Sequence, residues 1–330
     1  MRRRELITLL GGAAAAPSLL WPLAARAQRG DGMRRVGVLM GTAATEHGET
    51  YLAAFLRRLQ ELGWSRNIST DVRWWTGGPE QMRPAIAELL AFSPDVIMVF
   101  SNLALAVLKP MAGTVPVVFV GVGDPVGDGF VASLARPGGT ITGFAGNDGP
   151  MGGKWVEVLK ETAPHLTRIL TIFHPETPVH QAMWNSIRDS APRLGIEVTA
   201  GGVHDAAEIE RAVSSFAMKE NGGLIVLPHA ITWANDDLLA ALELRHRLPA
   251  VYATEGSVAA GGLVSYGQDF ELNFRQTAEY VDRVLRGEKP SDLPVQAPTK
   301  YLLVVNLKTA KAIGLEIPPT LLARADKVIE

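Results

Sequence analysis

From residue 35 onwards, short apolar runs alternate with amphipathic stretches whose apolar positions recur at helical spacing. Residues 36–40 and 96–100 are apolar runs, which predicts strands that are covered on both faces of a sheet. Residues 51–62 carry apolar side chains on one face and charged side chains on the other, which predicts a helix that ends at Gly63. Further strands are predicted at 68–75 and 115–120, and further helices at 80–92 and 103–111. This order of elements is typical of a parallel α/β sheet between helices.

The same order of elements restarts at Arg168. Strands are predicted at 168–173, 196–203, 224–227 and 250–253, and helices at 179–194, 206–219 and 236–247. The separation from Arg35 to Gly63 is 28 positions and that from Arg168 to Gly195 is 27, which favours a structural repeat. We therefore predict two doubly wound, flavodoxin-like α/β lobes, each with a parallel sheet.

Three stretches are predicted to connect the lobes: the glycine-rich residues 138–153, residues 265–268 before a helix at 270–285, and the proline-spaced residues 290–298. The first lobe would comprise residues 28–146 with about 267–298, and the second lobe 147–266 with about 299–330. The pattern leaves open which lobe the strand at 302–305 joins. Two lobes joined by several crossings form a clamshell that can close around a ligand.

The N-terminal residues 1–27 have the pattern of a secretory signal peptide. Arg2, Arg3 and Arg4 precede an apolar stretch that ends in Ala25-Arg26-Ala27, a small-residue cleavage site. General secretory export and twin-arginine export both remain open. We expect a periplasmic protein that is cleaved after Ala27.

Composition excludes several classes of function. The 330-residue chain has 32 basic and 34 acidic residues, and removing the four arginines and one glutamate of residues 1–27 leaves a net charge of −5. This charge gives no electrostatic reason to expect nucleic acid as a partner. The chain has no cysteine, which excludes disulfides, a thiolate nucleophile and cysteine-ligated metal.

Candidate ligand-binding residues lie where the predicted strands end, because parallel sheets bind ligands beyond the carboxyl ends of their strands. Ser101 and Asn102 precede a helix, so they either cap its free N–H groups or help those groups to hold a ligand carboxylate. Asp124 either bonds a ligand or shapes its turn. The full set of candidates is Thr42, Ser101, Asn102, Gly123 and Asp124 in the first lobe, and His174, His229, Trp233, Thr254 and Glu255 in the second.

Catalytic and metal-binding motifs are missing from the sequence. No serine sits in a G-x-S-x-G elbow, no phosphate-binding loop is present, and residues 121–127 depart from a dinucleotide-binding loop. His174 and His180 are six positions apart, and no H-x-H or H-E-x-x-H pair occurs. We therefore predict no catalytic residue, no cofactor and no metal site.

A resemblance to a known protein family extends over residues 35–330. Its most specific stretches are residues 124–143, 152–164, 260–267 and 298–315. The chain resembles the ABC transporter substrate-binding protein family that includes tryptophan- and tyrosine-binding members. The resemblance implies a type I periplasmic binding fold, a solute held between the lobes, no catalysis, and delivery to a membrane permease with its ATPase. Similar proteins usually carry Asn in place of His174, often Asp in place of His229, and often an aromatic-basic pair in place of Thr254 and Glu255.

The leading hypothesis is therefore a monomeric periplasmic receptor of an ABC importer. Its ligand would be a small carboxylate-bearing compound, either an aromatic or branched amino acid or an aromatic acid, and Glu255 would pair with an α-ammonium group. The alternative is an exported α/β hydrolase or isomerase with His174 or His229 as its base.

Overall fold

The computed structural model describes residues 32–330 except 43, 76–77 and 147–148, so the predicted signal peptide lies outside the described residues. The first half of the described chain forms a parallel sheet in the order β2-β1-β3-β4-β5. Its strands are β1 (Arg34–Met40), β2 (Ile68–Trp74), β3 (Val96–Phe100), β4 (Val117–Val122) and β5 (Ile141–Ala145). The connecting helices are α1 (Glu46–Glu61), α2 (Pro79–Ala91) and α3 (Asn102–Leu108).

Helix α1 starts five residues before the position that apolar spacing predicted. The Thr45 side chain accepts a hydrogen bond from the backbone N–H of Gly48, so a polar residue outside the apolar pattern fixes the start of the helix. The buried face of α1 carries Phe55 and Leu59. The apolar pattern therefore located the buried face of α1 but not its first turn.

The second half of the described chain forms a sheet in the order β12-β11-β10-β9-β8-β6-β7. Its strands are β6 (Arg168–Phe173), β7 (Glu197–Gly202), β8 (Gly222–Val226), β9 (Ala250–Tyr252), β10 (Val264–Gln268), β11 (Tyr301–Asn306) and β12 (Lys327–Ile329). The pairs are parallel except β10 with β11, which is antiparallel. The α/β prediction is confirmed, and the strand whose lobe was left open, β11, joins this second sheet.

The remaining helices are α4 (Met151–Thr162), α5 (Pro178–Ser190), α6 (Ala206–Phe216), α7 (Ala230–Trp233), α8 (Asp236–His246), α9 (Glu255–Ala259), α10 (Phe270–Leu285), α11 (Leu307–Ile313) and α12 (Pro319–Leu322). Helix α10 lies between β10 and β11 of the second sheet along the chain but packs against α1 and the first sheet, through Phe270, Phe274 and Val281. We call the first sheet with α1, α2, α3 and α10 the first lobe, and the second sheet with the other helices the second lobe. Among the described residues, no helix combines the length and apolarity needed to span a bilayer.

Two of the stretches that were predicted as plain crossings contain strands. The glycine-rich residues 138–153 include β5, and residues 265–268 belong to β10. The proline-spaced stretch runs beside β5, where Gln296 donates its N–H to the carbonyl of Gly143, before the chain reaches β11. The connections therefore run beside the edge strand β5 of the first sheet and reach the second sheet at its interior strands β10 and β11.

Helix α8 of the second lobe begins with a largely enclosed carboxylate. The Oδ1 atom of Asp236 is buried and has no hydrogen-bond partner in the described part of the chain. Burial raises the pKa of Asp236 to about 7, the Asp237 charge reinforces this effect, and a hydrogen bond from Ser257 opposes it. The charge of Asp236 in turn helps to raise the pKa values of Tyr51 and Tyr252. A helix start favours a negative charge by only about 1 kcal/mol, so burial outweighs it here.

We expect Asp236→Asn to remove a pH-dependent loss of stability. Because the pKa of about 7 lies above the ordinary 3.8, the folded protein holds an extra proton between these pH values. The free energy of unfolding therefore falls as the pH rises through this window, by about 2 kcal/mol between pH 5 and pH 8 for this group. Urea unfolding at both pH values should show that the variant is more stabilised at pH 8 than at pH 5. Asp189→Asn, at an exposed carboxylate of α5, is the control, and an equal effect of Asp236→Asn at both pH values would contradict the expectation.

Candidate functional site

A cavity of about 1010 Å³ lies between the two lobes. Its first-lobe wall comes from the loops after β3 and β4, and its second-lobe wall from the loops after β6, β7 and β8. Both walls are therefore built from the carboxyl ends of parallel strands, where such sheets bind ligands. The volume is sufficient for a small-molecule ligand.

Ser101 stands at the junction of β3 and α3 in a backbone conformation that is rare for residues other than glycine, with φ of 92°. Its Oγ accepts a hydrogen bond of 3.4 Å from the backbone N–H of Ala104, so Ser101 is the N-cap of α3. Ser101 also lines the cavity. Both roles that the sequence left open for this residue are thus compatible with its position.

The side chain of Asn102 links the start of α3 to the loop after β4 by hydrogen bonds. Its side-chain amide donates to the carbonyl of Gly123 at 2.8 Å and to Asp128 Oδ2 at 2.6 Å, and its Oδ1 accepts from the N–H of Gly123 at 2.9 Å. Both N–H groups of the amide are used by the protein, so Asn102 shapes the first-lobe wall and has no free donor for a ligand carboxylate.

Asp128 is the carboxylate on the first-lobe wall of the cavity. Burial raises its pKa, the charge of Asp124 adds to this rise, and the hydrogen bond from Asn102 opposes it. Among the described residues that line the cavity, none is Lys or Arg. A cationic group of a ligand is therefore the partner that this carboxylate lacks.

Three histidines form the centre of the second-lobe wall. The rings of His174 and His229 stack with their centroids 4.5 Å apart and an angle of 13° between their planes. His180 is fully buried, with Nε2 3.0 Å from the carbonyl oxygen of Pro228 and Nδ1 3.1 Å from that of His174. Burial lowers the pKa of His174, that of His180 to about 4 and that of His229 to about 3, so the rings are neutral at neutral pH.

His204 extends this histidine wall towards solvent, at the end of β7. Its Nε2 lies 3.0 Å from Glu176 Oε1, and its Nδ1 lies 2.9 Å from Glu208 Oε2. Hydrogen bonds to these two carboxylates raise the pKa of His204 and lower the pKa values of Glu176 and Glu208. The mouth of the cavity therefore concentrates ionised and metal-ligating groups in a small volume.

Trp233 belongs to the second lobe but its ring packs on the first. The Trp233 and Phe100 rings stack with centroids 5.4 Å apart and an interplanar angle of 11°, and Phe270 meets Phe100 edge-on at 5.5 Å. Trp233 and Phe270 both line the cavity. An aromatic contact thus joins the two lobes beside the space for a ligand.

The structure brings six of the ten predicted residues to the cavity: Ser101, Asn102, Gly123, His174, His229 and Trp233. The other four are not among its lining residues. Thr254 caps α9 through its Oγ1, and Glu255 pairs with Lys327 at 2.8 Å. Thr42 is buried within the loop after β1, and Asp124 shapes its own turn by accepting the N–H of Gly127 at 2.8 Å.

The sequence reasoning missed several lining residues, among them Asp128, Glu176, His180, His204 and Gln268. His204 and Gln268 follow the same rule that selected the others, because they stand at the carboxyl ends of β7 and β10. Asp128 carries no such signal, since it lies inside the turn that Asp124 starts, where the side chain of Asn102 donates a hydrogen bond to it.

Comparison with known proteins connects this geometry to a family. Residues 50–329 match the model of the family described as ABC transporter substrate binding protein. A tyrosine-binding protein from Clostridioides difficile (strain R20291) is 24% identical over 264 residues, which are 79% of this chain and 76% of that protein.

Two solved structures show the same fold. The ABC domain in complex with L-Trp from Streptococcus pneumonia is similar with a TM-score of 0.82 and 22% identity, over 90% of this chain and 99% of that chain. A ligand-free, open substrate binding protein with adhesive properties from Clostridium difficile is similar with a TM-score of 0.66 and 21% identity, over the same shares of the two chains.

Proteins of the matched family bind small-molecule ligands, work with the other components of an ABC transporter and are not enzymes. They are typically extracellular or periplasmic. Membership of this family contradicts the alternative prediction of an exported hydrolase or isomerase. Because the family model covers most of the chain, and the two lobes enclose a cavity at the carboxyl ends of their strands, the chain belongs to the ABC transporter substrate-binding protein family.

Proposed function

We propose that this protein captures an amino acid, or another small aromatic compound with a carboxylate, and delivers it to an ABC permease and its ATPase from the periplasm. The observation that carries the proposal is the cavity, which takes one wall from each lobe. The tyrosine-binding relative and the L-Trp complex support the aromatic amino acids as the first ligands to test.

The charges on the cavity walls suggest how such a ligand would lie. Asp128 is a half-buried carboxylate that lacks a cationic partner, so a ligand ammonium group would stabilise its charged form. Asp128 takes the role that the sequence assigned to Glu255, because Glu255 pairs with Lys327 outside the cavity. The ligand carboxylate would accept hydrogen bonds from Ser101 and the start of α3.

An aromatic side chain would meet the flat surfaces of the second lobe. The stacked, neutral rings of His174 and His229 and the ring of Trp233 border the cavity. Ring faces of this kind favour aromatic partners at centroid distances of about 4.5–7 Å. The selection of one aromatic ligand over another would then reside in the histidine wall.

We also propose that two lobes, with the residue ranges predicted from the sequence, close around the ligand. The fold is more similar to the L-Trp complex than to the ligand-free, open protein, with TM-scores of 0.82 and 0.66 at equal coverage. This difference supports a closed arrangement, in which Trp233 contacts Phe100. Closure traps a ligand when the ligand binds the closed state more tightly than the open state.

We expect Asp128→Asn to weaken the binding of L-Trp and L-Tyr by about 10- to 100-fold, because a charged hydrogen bond contributes about 1.5–3 kcal/mol. The isosteric amide keeps the shape of the wall and removes the charge that an ammonium group would meet. Isothermal titration calorimetry in the presence of EDTA measures the dissociation constants, after a thermal-shift screen of amino acids, aromatic acids and sugars.

The matched control is Glu255→Gln, which neutralises the carboxylate that the sequence had nominated outside the cavity. It should leave amino-acid binding unchanged. Stabilisation of the wild type by a sugar, with no effect of any amino acid or carboxylate, would overturn the proposed ligand class. Equal losses in Asp128→Asn and Glu255→Gln would overturn the placement of the ammonium group.

A further inference from the structure

We propose that His174, Glu176 and His204 form a binding site for a divalent transition-metal ion, such as Zn²⁺, on the second-lobe wall of the cavity. One ligand atom from each of the three side chains falls within a cluster in which all atoms lie within 4.8 Å of one another. Two imidazoles and one carboxylate are the donor set that such ions share.

The separations of the donor atoms fit a single ion. Glu176 Oε2 lies 3.3 Å from His174 Nδ1 and 3.2 Å from His204 Nε2. Donors that bind one tetrahedral ion at about 2.0–2.1 Å lie about 3.3 Å apart, so these two edges already match such a site. The donor atoms of His174 and His204 lie within 4.8 Å of each other, and rotation of the exposed His204 side chain would shorten this third edge. His174 and His204 approach edge to face, with centroids 5.4 Å apart.

The orientation of His204 favours metal binding at its Nε2. The carboxylate of Glu208 lies 2.9 Å from Nδ1 and accepts the ring N–H there. Metal-bound histidines almost always donate their second ring nitrogen to a carboxylate or carbonyl in this way, which fixes the tautomer that presents a lone pair to the ion.

The backbone around the site also holds His174 in place. His180 contacts both the N–H and the carbonyl of His174, at 3.2 and 3.1 Å, and the ring of His229 stacks on that of His174. One donor is thus supported by buried groups, whereas His204 and Glu176 have side chains that are 51% and 64% exposed. An ion can therefore enter from solvent and bind to a partly preformed site.

The location gives the ion a functional consequence. All three donors line the cavity, so coordination positions that the protein leaves open would face the ligand space. The amino and carboxylate groups of an amino acid are suitable donors for such positions. The site is distinct from the ammonium-binding role of Asp128 on the opposite wall and can be tested with the metal ion alone.

Sequence spacing argued against a metal site because His174 and His180 lack the separation of neighbouring ligands. The third donor, His204, comes from a different strand end, 30 positions further along the chain. The parallel pairing of β6 with β7 brings the two loops together. Only the fold shows this cluster, and its second histidine comes from β7, whose carboxyl end the sequence reasoning did not consider.

The test is a calorimetric titration of EDTA-stripped, dialysed protein with Zn²⁺, without an amino acid. We expect one equivalent to bind to the wild type, about 100-fold weaker binding in His204→Ala, and about 10-fold weaker binding in Glu208→Gln, which removes only the orienting carboxylate. Titration with Co²⁺ should give visible absorption bands that are lost in His204→Ala.

His165→Ala, at an exposed histidine that does not line the cavity, is the matched control and should bind Zn²⁺ like the wild type. Equal thermal unfolding of the metal-free wild type and His204→Ala would show that the variant is folded. Absence of Zn²⁺ binding, or equal affinity in the wild type, His204→Ala and Glu176→Gln, would overturn the site and leave His204 as an ion-pair partner only. Amino-acid binding in EDTA tests the proposed function separately, because it proceeds without the ion.

Discussion

Replacing Gly267 by alanine should lower the free energy of unfolding by about 4 kcal/mol, the largest effect that we expect from a single methyl group in this protein. A Cβ atom at Gly267 would overlap the carbonyl oxygen of Ala253. Gly267 lies in β10, between β9 and β11, and Ala253 is buried immediately after β9. Gly267 is paired with Leu302 of β11, and the clashing atom belongs to the backbone of Ala253, so the overlap cannot be relieved by a side-chain rotation. Urea unfolding monitored by tryptophan fluorescence measures the loss.

Gly202→Ala is the control for this substitution, because Gly202 is also a strand glycine. A Cβ atom there would make ordinary contacts with the side chain of Pro175, at 3.5 Å and beyond. We expect a change within about 0.5 kcal/mol, with a small gain from the lower entropy of the unfolded chain. A loss below about 1 kcal/mol for Gly267→Ala would show that β10 moves easily past β9.

The tight packing at Gly267 also explains why β10 was predicted as a crossing. Strand β10 reads Val-Ser-Tyr-Gly-Gln and β5 reads Ile-Thr-Gly-Phe-Ala, so each is short and contains a glycine where two backbones approach. The apolar runs of β3 and β6 need no such approach, and hydrophobic pattern alone located them. The antiparallel direction of β11 was beyond any local signal, because it depends on α10 passing through the other lobe.

The candidate site was predictable in position but not in side-chain direction. Strand ends correctly located Ser101, His174 and His229 at the cavity. The same rule selected Glu255, whose carboxylate turns towards Lys327 because that lysine, in β12, comes close only in the folded chain. Asn102 lines the cavity, yet both of its amide N–H groups are bound to Gly123 and Asp128. The end of a strand fixes the backbone position of a residue, whereas contacts with distant segments of the chain determine which partners its side chain binds.

Replacing Trp233 by alanine should open the lobes of the ligand-free protein and weaken L-Trp binding by about 10- to 100-fold. The Trp233–Phe100 stack joins the two lobes beside the space for a ligand. An aromatic pair contributes about 0.5–1.5 kcal/mol beyond the area that it buries, and each 1.4 kcal/mol changes a conformational equilibrium about tenfold. Small-angle X-ray scattering of the ligand-free variant should give a larger radius of gyration, and calorimetry should give the weaker affinity.

Two variants separate closure from ordinary loss of an aromatic side chain. Trp184 stacks on Phe173 within the second lobe, with centroids 5.8 Å apart, so Trp184→Ala should leave the radius of gyration unchanged. Trp233→Phe keeps a ring beside Phe100 and should recover most of the affinity. If Trp233→Ala binds L-Trp weakly but scatters like the wild type, the ring acts only as a ligand contact and its role in closure is wrong. If both measurements change together, the protein holds its lobes near the closed state before the ligand arrives, because the ligand then has less of the closing free energy to supply.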